Sequence, residues 1–156
     1  MPGQELIQAG HTPAILRTCG QVLRQIQAVD ATAVFDAVPA PAAVLVHGDY
    51  GPHNMIFDPV TFAAAAVVDW EWAHLGDPVE DLAWCEWIVR MHHPNVIDEL
   101  EHLFTAYGSR PPWSRRQAAM LAKCHFMLMR PRPAAAAPIG EHRWQEHLET
   151  TGAWTE

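Results

Sequence analysis

The residues of this 156-residue chain best equipped for chemistry are crowded into one short stretch. Val46-His47-Gly48-Asp49-Tyr50-Gly51-Pro52-His53-Asn54 sets an Asp and an Asn five positions apart, and Val67-Val68-Asp69-Trp70-Glu71 follows with a second Asp. A carboxylate in a loop directly after a strand can accept the proton of an attacking hydroxyl. An amide oxygen and another carboxylate are donors that magnesium accepts, the rest of its shell being water and phosphate. A base beside a two-ligand magnesium site suits phosphoryl transfer, which depends on positioning and charge neutralisation more than on covalent help. Asp49 reads as the base, and Asn54 and Asp69 as the ligands of magnesium and hence of a bound nucleotide.

These residues need elements to hold them. Val44-Leu45-Val46 reads as a short buried strand leading into the loop His47 to Asn54. Met55-Ile56-Phe57 and Ala64 to Val68 read as two further strands paired as a hairpin around Asp58-Pro59. Gly76-Asp77-Pro78 opens a helix, with Asp77 as cap and Glu80 at capping-box spacing. Leu82, Ala83, Trp84, Trp87, Ile88 and Met91 give that helix a broad apolar face, and Trp70, Trp72, Trp84 and Trp87 read as core.

The flanks are simpler. Residues 1–11 read as an extended or turning entry. Thr12-Pro13 reads as a helix start with the hydroxyl as cap, and Ile15, Leu16, Cys19, Val22, Leu23 and Ile26 carry the helix to about Val29. Residues 30–42 read as a loop. Pro94-Asn95 restarts a helix that Gly108 stops, and Ser114 with Gln117 starts another that Pro131 stops. Residues 131–140 are Pro- and Ala-rich, and His142 to Leu148 reads as a short terminal helix. A main domain over residues 1–130 and a linker with a tail over 131–156 follow. The sum is an α+β fold, mostly helical, around one small sheet.

Composition narrows the function classes. The chain is 49% hydrophobic and 18% charged, ordinary for a globular domain. A net charge of −8 argues against a nucleic-acid partner and suits a cationic small molecule. No apolar run approaches the ~20 residues of a membrane span, and Met-Pro-Gly-Gln-Glu is not a secretory leader, so a cytoplasmic location is expected. Cys19, Cys85 and Cys124 form no C-x-x-C pair and read as small core residues. The adjacent His92 and His93 would point to different sides of a helix and read as a polar helix end. Nine of the ten basic residues are Arg, and the single Lys, Lys123, follows the whole candidate site.

The spacing His-x-Asp-x-x-x-x-Asn matches the catalytic loop of protein kinases, with Gly48 where they carry Arg, and Asp69-Trp70-Glu71 stands where they carry Asp-Phe-Gly. Together with Gly76-Asp77-Pro78 and Asp81-Leu82-Ala83, the segment over residues 43–87 resembles the aminoglycoside phosphotransferase / choline kinase-like family. The resemblance implies a protein-kinase-like larger lobe, with the N-terminal lobe absent. It implies Asp49 as catalytic base, His47 as a brace of the catalytic loop, and Asn54 and Asp69 as magnesium ligands. Asp81 would anchor the loop's backbone, with Asp77 in structural support, and Glu71 would reach a second metal or its water. The implied cofactors are Mg2+ and ATP or GTP. The implied acceptor is a small-molecule hydroxyl, as on an aminoglycoside-type antibiotic.

No Gly-rich loop occurs and no Lys precedes Asp49. The resemblance is therefore to one lobe, expected as a fragment, a mis-started gene product or one half of a split enzyme, with a homo-oligomer or a separate small-lobe partner as the expected associations. The alternative from another class is a non-catalytic binding or interaction module derived from that lobe. A metal-dependent hydrolase using Asp49, Asp69 and some of the His residues is a third reading.

Overall fold

A computed structural model describes residues 1–30, 35, 42–131 and 137–156. The chain divides into two compact units, Met1–Arg110 and Pro111–Glu156. The fold is mostly helical with small antiparallel sheets. Among the described residues, no helix is long and apolar enough to cross a membrane.

The first unit is built on α2 (Thr12–Gln27), a strongly amphipathic helix. Ile15, Leu16, Cys19, Leu23 and Ile26 recur at helical spacing and are buried. Gly20 belongs to the same stripe because α4 (Glu101–Tyr107) crosses there. A Cβ on Gly20 would collide with the Leu103 carbonyl and lie 2.7 Å from the Tyr107 nitrogen. The two helices enclose a core with Leu103 and Phe104, and Gly108, at φ +94°, ends α4 in the left-handed conformation open to glycine.

Two separate two-stranded sheets replace the single sheet expected from sequence. β1 (Val44–Val46) pairs antiparallel with β4 (His74–Gly76), and β2 (Met55–Phe57) pairs with β3 (Ala64–Val67). The hairpin was legible; β4 was not, because three residues with no apolar alternation carry no strand signal of their own. Val46 opposite His74 and Met55 opposite Val67 bring both sheets to the ends of the loop 47–54.

Residues 1–11 depart from the expected extended or turning entry. Gly3–Gln8 form α1, with Leu6 and Ile7 buried, and Pro2 bridges to Ile56 on the outer side of β2. Tertiary burial of two apolar residues decides this, since a six-residue helix has no stability alone. Thr12 is buried and makes no cap; His11 precedes the helix and Pro13 sits in its first turn.

α3 (Val79–His92) starts as expected in substance. The Asp77 carboxylate accepts from the Val79 N–H at 2.9 Å, and the Glu80 carboxylate accepts from the Asp77 N–H at 2.7 Å. Pro94–Leu100 is a 3-10 segment that leads into α4.

In the second unit, α5 (Trp113–Met129) and α6 (Ala137–Ala153) pack together. The capping box expected from Ser114 and Gln117 does not form. Gln117 Nε2 instead donates to the Thr151 and Trp154 carbonyls, each at 3.0 Å, where α6 ends. The buried Arg116 guanidinium pairs with Glu156 and donates to the Pro111 carbonyl. The terminal helix is longer than the expected His142 to Leu148. The expected loop at 30–42 falls largely outside the described residues, as do residues 132–136 of the expected linker at 131–140. Residues 137–140 are the first turn of α6 and not linker, because the helix starts earlier than its apolar pattern indicates.

Candidate active site

The loop between β1 and β2 is held from below before it presents anything to a ligand. Its Tyr50 is fully buried and donates from its hydroxyl to the Cys19 carbonyl of α2 at 2.7 Å. Burial, with Cys19, Cys85 and Asp81 nearby, pushes the Tyr50 hydroxyl well above its ordinary range, so it stays a neutral donor. Gly48 sits at φ +85°, and a Cβ there would come within 2.5 Å of the Trp72 carbonyl oxygen. This explains glycine where protein kinases carry Arg: the 72–73 backbone occupies the space.

Asp81, in the first turn of α3, takes two of the loop's N–H groups. Its Oδ2 accepts from His47 at 2.6 Å and its Oδ1 from Gly48 at 2.9 Å. Burial pushes the Asp81 carboxyl up, against these two hydrogen bonds, which favour the ion. His47 braces the loop from the other side. Its Nδ1 accepts from the Asp49 N–H at 3.2 Å, which leaves the ring proton on Nε2 to donate to the Val68 carbonyl at 2.9 Å. The ring lies 4.5 Å from that of Trp70.

Val68 is gripped twice, because its N–H also donates to the Asn54 carbonyl at 2.9 Å. His47 and Asn54, at opposite ends of the loop, therefore hold the residue just before Asp69. Asp69 itself has φ +67°, a conformation uncommon outside glycine that Asp tolerates better than most residues. The chain turns out of β3 at this residue, and the exposed Asp69 carboxylate makes no hydrogen bond or ion pair among the described residues.

Asn54 is nearly buried, at 8% exposure, and its Nδ2 donates both to the Asp49 carbonyl at 3.0 Å and to the Asp49 Oδ2 at 3.1 Å. The amide nitrogen is thus committed inward, and the amide oxygen is left for another partner. An uncommitted amide oxygen and an uncommitted carboxylate on two adjoining segments are a donor set that fits magnesium. Asn54 and Asp69 would hold the ion, which when bound neutralises phosphate charge. Among the described residues no cluster of three or more His, Cys, Asp or Glu is gathered as a metal site. A His-based metal hydrolase has no support from that arrangement, whereas magnesium needs only two protein oxygens.

Glu71 lies exposed in the turn after Asp69 and makes no hydrogen bond or ion pair among the described residues, so nothing ties it to the others. Asp77 caps α3, accepting from the Val79 N–H. Two neighbours of Asp49 were not singled out from sequence. Trp84 Nε1 donates to the Asp49 Oδ1 at 2.7 Å, and His53 Nε2 lies 3.4 Å from Oδ2, with its Nδ1 buried and without a partner. His53 follows Asp49 by four positions in a 3-10 turn, Pro52–Asn54, a local signal that could have found it.

The model of the phosphotransferase enzyme family matches residues 31–121, more than half of the chain. The viomycin phosphotransferase of Streptomyces vinaceus is 42% identical over 53 residues, 33% of this chain and 18% of that protein. Acyl-CoA dehydrogenase family member 10 of Mus musculus is 50% identical over 40 residues, 26% of this chain and 4% of that protein. The matched stretches thus span under a fifth of either relative's length. On the extent of the family match, and with the loop, the Asp69 turn and the Asp81 anchor in place, the chain belongs to the phosphotransferase enzyme family.

Proposed function

We propose that this chain carries the catalytic loop and magnesium-binding segment of an ATP- and magnesium-dependent kinase that phosphorylates a hydroxyl of a small molecule. The residues belong, in this reading, to the larger lobe of a two-lobed enzyme whose smaller lobe covers the phosphates. Asp49 is the base, Asn54 and Asp69 hold magnesium, and His47 and Asp81 keep the loop in shape.

The observation that supports this best is the double grip on Val68. His47 and Asn54 tie the loop that bears Asp49 to the residue before Asp69. The segments that bear the base and the two oxygen ligands are thereby coupled through the Val68 main chain, once by the His47 side chain and once by the Asn54 carbonyl. An antibiotic acceptor is supported by the name of one relative, a viomycin phosphotransferase, and a cationic one by the net charge of −8.

Calorimetric titration with Mg-ATP tests the reading without knowledge of the acceptor. Wild-type chain is expected to bind nucleotide only with magnesium present, and Asp69→Ala to lose that binding with an unchanged far-ultraviolet dichroism spectrum. A folded wild-type chain that binds no Mg-ATP would overturn the reading for this chain.

A further inference from the structure

Three successive turns of α3 touch three successive points of the loop. Asp81, Trp84 and Ile88 are spaced by three and four positions and so share one helix face. Asp81 holds the His47 and Gly48 N–H groups, and Trp84 holds the Asp49 carboxylate. Ile88 packs at Gly51, where a Cβ would lie 3.3 Å from its Cγ1. We infer that Trp84 is a positioning residue for Asp49, and that Oδ2 of Asp49 is the oxygen that receives the acceptor's proton. The inference rests on the phosphoryl-transfer reading above.

The two carboxylate oxygens have unlike surroundings. Oδ1 accepts from the Trp84 indole at 2.7 Å, the length of a charge-assisted bond. That indole is 5% exposed and stacks on the Trp87 ring, centroids 4.3 Å apart and planes 6° from parallel, with Trp87 itself 1% exposed. A buried, stacked ring with two rotatable bonds cannot swing aside, and its N–H is a donor only, so it cannot relay a proton. Oδ2 has longer contacts, 3.1 Å to Asn54 Nδ2 and 3.4 Å to His53 Nε2. The Asp49 side chain is 31% exposed. The short contact, to a buried indole, is at Oδ1, and the longer and weaker ones are at Oδ2.

The step then balances as follows. The acceptor O–H proton passes to Oδ2 as the acceptor oxygen forms a bond to the γ-phosphorus. The bond from that phosphorus to the β–γ bridging oxygen breaks, and its electron pair leaves on the nucleoside diphosphate. Trp84 does not touch the reacting atoms. It holds Oδ1 so that Oδ2 is presented in one orientation, and misplacement by about 1 Å can cost on the order of 100-fold in rate.

Two measurements on the full chain test this. The first is the indole N–H spectrum of 15N-tryptophan-labelled protein, with Trp84→Phe assigning the resonance. The Trp84 signal is expected to lie downfield and exchange slowly, and Asp49→Ala to move it upfield and speed its exchange. A Trp84 resonance that ignores Asp49→Ala would overturn the contact. The second is basal Mg-ATP hydrolysis with water as acceptor. Trp84→Phe keeps the apolar ring and loses the donor, so kcat should fall between about 10- and 100-fold with KM for Mg-ATP unchanged. Wild-type kcat in Trp84→Phe would overturn the positioning role, as would a loss confined to KM. If the wild-type chain binds Mg-ATP but shows no turnover without a smaller lobe, the indole resonance alone upholds or overturns the clamp on Asp49, while loss of Mg-ATP binding is what overturns the proposed function.

Discussion

Asp49 lies at the centre of the site through the company its two oxygens keep. Each accepts from a different part of the fold, Oδ1 from α3 and Oδ2 from the far end of its own loop. Removing the carboxylate should therefore remove the chemistry and spare the fold, because the loop's main chain is held by Asp81, His47 and Tyr50. Asp49→Ala is expected to lower phosphoryl transfer by at least about 100-fold, the scale of a general base, with an unchanged dichroism spectrum. Undiminished turnover would remove Asp49 from the role of base. The spacing from Asp49 to Asn54 made both residues legible in the sequence. Trp84 was legible only as core: its burial follows from the apolar periodicity of α3, but the partner of its N–H lies 35 positions away.

At the scale of elements, α3 is the template on which the loop is set. Asp81 joins the two, and its raised carboxyl pKa gives that junction a pH dependence of defined sign. A carboxyl whose folded pKa lies above its unfolded value, about 3.9, binds protons more tightly when folded. Its stabilising contribution is complete below the unfolded value and is lost as pH rises through the folded one. The stability of wild type relative to Asp81→Asn should therefore decrease as pH is raised through that window, read from urea midpoints at successive pH values. A difference that grows with pH would contradict the cause assigned to the shift. Gly48 makes a second junction, where β1 enters the loop against the Trp72 backbone. Gly48→Ala combines φ +85° with a 2.5 Å approach to a carbonyl oxygen and should cost about 1–3 kcal/mol of stability. A variant as stable as wild type would show that the loop can relax there.

For the whole molecule, the candidate site lies within the Met1–Arg110 unit, and ligand should stabilise that unit by mass action. Mg-ATP at about a hundred times its Kd adds about 2.7 kcal/mol to a folded state that alone binds it. A rise in Tm with Mg-ATP, absent in Asp69→Ala, is expected in a thermal scan, and equal shifts in both proteins would locate nucleotide away from Asp69. The Pro111–Glu156 unit has its own fastening. Gln117→Ala removes donors to the Thr151 and Trp154 carbonyls and should cost about 1–3 kcal/mol. Faster amide exchange over residues 151–156 is the expected readout, and unchanged exchange there would show that contacts other than those of Gln117 hold that segment.

What the sequence determined by itself was local. Residue types at short spacings declared the loop 47–54, the hairpin that follows it, the Asp77–Glu80 start of α3 and the buried stripe of α2. Each rests on interactions within a few positions or on one helical period. The tertiary structure decided whatever required two distant segments to meet. It made a helix of residues 3–8 by burying Leu6 and Ile7, and paired β4 with β1. It turned Gln117 from an expected cap into a clasp on the end of α6. It also drew the Val68 main chain between His47 and Asn54, and set the Trp84 indole on Asp49. Candidate chemistry could be proposed from the sequence because the residue types it needs are few and closely spaced. Orientation was not, because the partners that fix a carboxylate's direction are chosen by packing, and packing leaves no mark at fixed distance along a chain.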